Sequence, residues 1–254
     1  MPRIKLVLEY EGTNYAGWQR QENAVTVQQA VEEALFAVTG ERIAVHASGR
    51  TDSAVHALGQ VAHFDTAARM DPDKFAYALN AHLPRDVRVL DSRRARDAFH
   101  ARFDARGKLY RYDIHNAPHA SAIHRHTRLH VHWPLDIEAM RKAARRVVGT
   151  HDFAAFRAAA GPSKRSTVRT VTRSEVLRKG ALVSYEIAGN GFLYNMVRIL
   201  AGTLLEVGLG RRPPDAVSEA LAGRERTLAG PTAPAYGLTL VRVFYGAEEG
   251  ENLD

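Results

Sequence analysis

The stretch Arg42-Ile43-Ala44-Val45-His46-Ala47, Ser48-Gly49-Arg50-Thr51-Asp52-Ser53-Ala54-Val55-His56-Ala57 and Gln60-Val61-Ala62-His63-Phe64 decides the fold. Its first segment alternates apolar and polar residues, as a half-buried strand does, and its last is a hydrophobic strand. A loop rich in Ser, Gly, Thr and Asp joins the two. Arg50 and Asp52 are two residues apart, so an extended backbone points both side chains to one side. A guanidinium so placed holds a carboxylate ionised. Such a carboxylate can attack an electrophilic carbon or stabilise a developing cation. The alternative is structural: Asp52 accepts backbone hydrogen bonds within a turn.

Working outward, Ile4–Tyr10 reads as a strand, followed by a loop with exposed-looking aromatics, Glu11 to Arg20. Thr26, with Gln29 three residues on, caps a helix whose apolar stripe is Val27, Val31, Ala34, Leu35 and Val38, and Gly40 ends it. After the central strand pair, Asp71-Pro72 opens a second helix with Phe75 and Leu79 inward, and Val87–Leu90 is a strand. The order is β-α-β-β-α-β. The second half repeats it with Lys108–Ile114, a helix from Asp136 ended by Gly149, the pair Val168–Leu177 and Leu182–Ala188, a helix over Tyr194–Val207, and Leu238–Phe244. A short extra helix starts at Pro213-Pro214-Asp215. The pattern predicts an α+β fold of two ferredoxin-like βαββαβ halves, residues 1–104 and 105–246. Their mainly antiparallel sheets are expected to join into one extended sheet with a central active-site cleft. The acidic tail, residues 247–254, is expected to be disordered.

Of 254 residues 45% are hydrophobic, which suits a globular chain and excludes a disordered one. The formal net charge is +7, and only six of the 35 basic residues are Lys. That balance fits a polyanionic partner, and Arg suits RNA because it grips phosphate with two donors and stacks on bases. Compositional bias toward Ala and Arg is the alternative source. The chain contains no cysteine, which excludes disulfides, thiolate metal sites and Cys nucleophiles. No signal-like region and no apolar run of about 20 residues is present, so a soluble, cytoplasmic protein is expected, with no membrane partner.

Further candidates lie in the second half. Lys108-Leu109-Tyr110-Arg111-Tyr112 places two tyrosines on one strand face, able to stack an extruded base, or simply suited to a strand. Arg198 is the only charge between Glu186 and Glu206, which suggests pairing with a carboxylate. The histidines His115, His119, His124, His126, His130 and His132 lack a metal-ligand spacing, so no metal is expected and a phosphate-touching loop is the simpler reading. Arg165 to Arg173 alternates basic and neutral residues, as a strand displaying arginines to an anion would.

Gly49-Arg50-Thr51-Asp52 with Val55-His56-Ala57 resembles the active-site motif of the tRNA pseudouridine synthase A family. Tyr10 to Gln19, Val27-Gln28, Lys108 to Tyr112, Gly149-Thr150-His151-Asp152-Phe153 and Phe192 to Arg198 follow the family in order, over nearly the whole chain. The resemblance implies isomerisation of uridine to pseudouridine in the anticodon stem-loop (positions 38–40 of tRNA), by base flipping and with no cofactor. It implies that Asp52 is the essential carboxylate, that Tyr110 packs on the target base, that Arg198 pairs with Asp52, and that Arg50 holds the flipped nucleotide. It also implies tRNA as partner and a homodimer. The family usually reads Ala-Gly after the Asp, where this chain has Ser53-Ala54. Without that Gly, the loop is expected to use an ordinary backbone conformation after Asp52. A catalytically silent RNA-binding module and a metal-dependent hydrolase are the competing functional classes.

Overall fold

A computed structural model describes residues 1–158 and 166–246; the acidic tail and Arg165 lie outside the described residues. In chain order the elements are β1 (Arg3–Tyr10), α1 (Val27–Thr39), β2 (His46–Ala47), β3 (His56–Asp65), α2 (Phe75–Asn80), β4 (Val87–Arg94), β5 (Gly107–Asn116) and β6 (Leu129–Val131). They continue with α3 (Ile137–Arg145), β7 (Gly149–Asp152), β8 (Val168–Lys179), β9 (Leu182–Gly189), α4 (Met196–Gly208), α5 (Ala216–Gly223) and β10 (Leu238–Phe244). The fold is mixed α+β, and its strand pairings are mostly antiparallel. Among the described residues two compact units form: Met1–Arg106 with those from Thr239 onward, and those of Gly107–Leu238.

In the first unit β1 pairs antiparallel with both β3 and β4. Helix α1 starts where Thr26 Oγ1 accepts from the Gln29 amide at 3.4 Å and stops at Gly40, whose φ is +73°. Val27, Val31 and Leu35 are fully buried, each worth about 1.5–3 kcal/mol relative to exposure. The Gln29 side chain turns to Glu33 at 2.8 Å, leaving half of the capping box unmade. The strand read from Arg42 shortens to His46–Ala47. Side chains of α1 take the backbone of Val45 instead: its N–H donates to Glu32 Oε1 and its carbonyl accepts from Gln28 Nε2. The sequence pattern assigns the last strand to the C-terminal half, yet β10 lies parallel to β3, with Thr239 opposite His56 and Leu240 opposite Ala57.

In the second unit β5, β9, β8 and β7 are joined by antiparallel pairings. The β8–β9 hairpin turns at Gly180, φ +60°. Asp136 Oδ1 accepts from the Ala139 amide at 2.9 Å and starts α3, which ends at Arg145 rather than at Gly149. Gly149 opens β7, an edge strand too short and polar to be read from periodicity. Strand β6 is likewise new, and lies parallel to β5 with His115 opposite His130. The histidine run is partly spent on backbone: His115 Nε2 lies 3.2 Å from the His119 carbonyl and His130 Nε2 2.9 Å from that of Ala117. Among the described residues no group of three or more His, Cys, Asp or Glu is placed to hold a metal ion. No helix of the described residues is long and apolar enough to cross a membrane.

A cluster of imidazoles fills one region of the first unit. His63 of β3 lies opposite Lys5 of β1. Its ring centroid is 5.2 Å from that of His46, 4.7 Å from His100 and 5.9 Å from Phe99. Lys5 is buried, with its ammonium 4.4 Å from the Tyr245 ring centroid and 5.2 Å from that of Phe99. His63 Nδ1 accepts from the Ala101 amide at 3.2 Å. Burial, then the charges of His100, Arg3 and His46, push the His63 pKa down to about 4, opposed by Asp65. An unfolded histidine titrates near 6.5, so between those values the unfolded chain holds a proton that the folded chain refuses. The neutral ring's contribution is complete above about pH 6.5 and is lost as pH falls toward 4. We expect the urea midpoint to be lower at pH 5 than at pH 7, and His63→Gln to reduce that difference. An equal difference in variant and parent would assign the pH dependence elsewhere.

Candidate active site

The loop between β2 and β3 is pinned along its length. The Ser48 amide donates to the Val61 carbonyl at 2.7 Å, and Ser48 Oγ donates to Gln60 Oε1 at 2.7 Å. Gln60 Nε2 in turn donates to the Gly49 carbonyl at 3.0 Å. Thr51 Oγ1 and the Tyr10 hydroxyl are 2.8 Å apart, and the Thr51 carbonyl accepts from the Trp18 amide at 3.1 Å. Burial pushes the Tyr10 pKa up to about 12, which keeps this hydroxyl neutral. Ser48, Gln60, Thr51 and Tyr10 are all buried, so each bond replaces water that the fold has excluded.

The segment read as a loop with exposed aromatics is the clamp on this loop. Tyr15 and Trp18 are buried. The Tyr15 hydroxyl donates to Asp86 Oδ1 at 2.6 Å, and the Trp18 ring lies 6.1 Å from that of Tyr10. The Gly12 amide donates to His56 Nδ1 at 3.0 Å, which puts the ring proton of this buried histidine on Nε2. Gly17 has φ +93°, and a Cβ there would stand 2.5 Å from the Thr51 carbonyl oxygen and 3.0 Å from the Asp52 carbonyl carbon. Only glycine lets the two backbones approach so closely.

Asp52 is half-buried at the end of this frame. Its carbonyl accepts from the Val55 amide at 3.1 Å, closing a four-residue turn. Ala54 in that turn has φ +60°. The expected ordinary conformation after Asp52 is therefore wrong: Ala54 adopts the left-handed geometry that a glycine would supply. Two outside bonds and the turn's own hold it there. The Tyr15 carbonyl accepts from the Ala54 amide at 3.3 Å and from Ser53 Oγ at 3.2 Å, besides the turn's own bond. Arg50 is exposed and donates Nε to Gln19 Oε1 at 3.1 Å.

The second unit holds Tyr110 and Arg198. Tyr110 of β5 is 9% exposed and meets Phe192 edge to face, with centroids 5.3 Å apart at 88°. Tyr112, two residues on, is not available for stacking. It is fully buried, its hydroxyl donates to the Pro234 carbonyl at 2.8 Å, and burial raises its pKa. Arg198 is half-buried on α4, donating Nε to the Ala233 carbonyl at 2.8 Å and Nη1 to Asn195 Oδ1 at 2.9 Å. Asn195 itself has φ +58° just before the helix. Gly202 permits the arrangement, because a Cβ there would fall 1.9 Å from the Pro231 oxygen in the segment that carries Ala233.

The run of arginines on β8 separates. A bulge falls between Val171 and Arg173, and Arg173 is bound to Glu175 at 3.0 Å and Glu186 at 2.8 Å. Among the described residues Arg169 has no carboxylate partner. The structural roles of Tyr10, Gln60 and His56 escape sequence reasoning. Their one signal is a buried polar residue in an otherwise apolar strand.

The chain matches the family model described as tRNA pseudouridine synthase over residues 6–104 and 143–246. It is 49% identical over 245 residues to tRNA pseudouridine synthase A of Acetivibrio thermocellus, covering 96% of this chain and 100% of that protein. It is 50% identical over 246 residues to the protein of the same name from Ruminiclostridium cellulolyticum, and 48% over 245 residues to that from Geotalea uraniireducens. Both matches cover 96% of this chain and 100% of the relative.

A left-handed Ala costs about 1–2 kcal/mol relative to glycine, offset by about 0.4–1 kcal/mol of extra unfolded-chain entropy that glycine brings. Ala54→Gly is therefore expected to raise stability by up to about 1.6 kcal/mol. Ala54→Val, β-branched at positive φ, should lower it by more than ~1 kcal/mol. Urea unfolding of the two variants beside the parent checks both signs.

Proposed function

The chain belongs to the tRNA pseudouridine synthase family, and we propose that it isomerises uridine to pseudouridine in the anticodon stem-loop of tRNA. The observation that carries this reading is the Asp52 turn. A half-buried carboxylate sits in a loop fixed by buried hydrogen bonds, and its turn keeps left-handed geometry although the glycine is gone. A loop serving only to bind RNA gains nothing from an acid, which repels phosphate.

The reaction breaks the N1–C1′ bond, turns the freed uracil, and forms C5–C1′, with the C5 proton passing to water and N1 gaining one. The base must leave the stack for this to occur. Asp52 acts at C1′, as nucleophile or as partner to the positive charge that develops there. Tyr110, held edge-on by Phe192, offers an aromatic face to the extruded base. Arg198 is the cation that keeps the carboxylate ionised, and Arg50, exposed and tethered to Gln19, steadies the flipped nucleotide. The Arg-rich chain binds tRNA as a homodimer in the cytoplasm, with no cofactor.

Purified protein in EDTA, given unmodified tRNA tritiated at uridine C5, should release tritium to water. Asp52→Asn should lower that release by about three orders of magnitude or more, with tRNA affinity kept within about threefold. Retained turnover would sink the assignment of Asp52. Release that stops with chelator would point instead to a metal-dependent enzyme. Affinity for tRNA should fall by more than about tenfold across a fourfold rise in salt, as counterions released from phosphates are restored. A flat salt response contradicts binding through the basic surface.

A further inference from the structure

Arg169 stands on β8 beside the loop that leads into α4. A Cβ on Gly191 would lie 3.7 Å from its Nε and 3.9 Å from its Cδ, and the next residue, Phe192, supports Tyr110. Arg169 is half-buried, and its Nη1 donates to the Ser166 carbonyl at 2.8 Å and the Val168 carbonyl at 2.6 Å. These two bonds fix the guanidinium plane. Among the described residues no carboxylate pairs with it, whereas the neighbouring Arg173 is bound to two glutamates. Its Nε and Nη2 donors, the edge that grips an oxyanion with two parallel bonds, have no acceptor among the described residues. Burial alone lowers its pKa, as expected of a cation that lacks a counter-charge.

A half-buried, uncompensated charge is costly unless an anion completes it. We infer that Arg169 is a phosphodiester-binding subsite, taking one backbone phosphate of the RNA next to the nucleotide whose base lies on Tyr110. The inference rests on the pseudouridine synthase reading for the identity of that nucleotide. The subsite itself rests on the Arg169 fork and its setting against Gly191 and Phe192. Arg169 touches phosphate rather than the reacting atoms, so it is a positioning residue. A phosphate held there fixes the register of the strand, which carries no base information but decides which nucleotide reaches Tyr110.

The test is a cycle between Arg169 and single phosphates. Anticodon stem-loop RNAs carry one neutral methylphosphonate at each position around the target uridine, and their dissociation constants are measured with parent, R169Q and R169K. In the parent, one position should weaken binding by about tenfold, the scale of a charge-assisted hydrogen bond. In R169Q that position should cost nothing further, while penalties at other positions persist. The slope of log affinity against log salt should also drop by about 1. R169K, which keeps the charge and loses the fork, should retain part of the coupling, and it stands in for R169Q if the latter does not fold. Penalties that are the same in all three proteins at every position would overturn the subsite. Because the cycle reads binding, it is independent of turnover. A parent that releases no tritium but shows the coupling loses the enzymatic reading and keeps the subsite. A parent that turns over without the coupling loses the subsite alone.

Discussion

The contact on which the first unit's chemistry depends is backbone against backbone, where the segment from Gly12 to Trp18 lies on the loop from Thr51 to Val55. The Trp18 amide donates to the Thr51 carbonyl and the Tyr15 carbonyl accepts from the Ala54 amide, main chain to main chain, while the Ser53 hydroxyl and the His56 ring add side-chain bonds to the same segment. Main-chain bonds set position more firmly than side-chain bonds, because no rotamer freedom stands between the partners. Beneath them the buried line Ser48–Gln60–Tyr10–Thr51 leaves little slack, since breaking any link strands a polar group away from water. The carboxylate of Asp52 inherits its place from this frame. The left-handed turn at Ala54 is tolerated because its own bond and two from the Tyr15 carbonyl offset a cost of about 1–2 kcal/mol.

In the second unit the same logic serves a cation. Arg198 sits on a helix buried on nearly every side, where a charge without partners would cost several kcal/mol. A carbonyl oxygen and an amide oxygen meet two edges of its guanidinium. The carbonyl arrives on a chain segment that passes so close to α4 that only glycine fits at position 202. Small residues here do what bulky ones cannot: they bring a main-chain acceptor to a charge inside an apolar wall.

Charge also divides the arginines by duty. Arg173, Arg111 and Arg3 are matched to carboxylates and belong to the fold. Arg50 is exposed with an amide partner, and Arg169 is half-buried with only carbonyl partners among the described residues. A net charge of +7 says that a polyanion is welcome. The local pairing says which guanidinium groups remain to meet it.

The sequence by itself determined the α+β class, the start and stop of α1, the strand pair Val168–Leu177 and Leu182–Ala188, and the motif around Asp52. Each of these is written in neighbouring residues: a period of 2 or 3.6, a capping Thr, a Gly at positive φ. Only the tertiary structure decided that Val45 serves helix α1 rather than a ladder, that Trp18 and Tyr15 are buried, that Tyr112 is spent on Pro234, and that β10 lies beside β3. It also decided that Ala54 turns left-handed. These outcomes join residues far apart in the chain, and they depend on which buried donor finds which acceptor once the core has closed. Local propensity contains no term for that, because the competing partners meet only in the folded state.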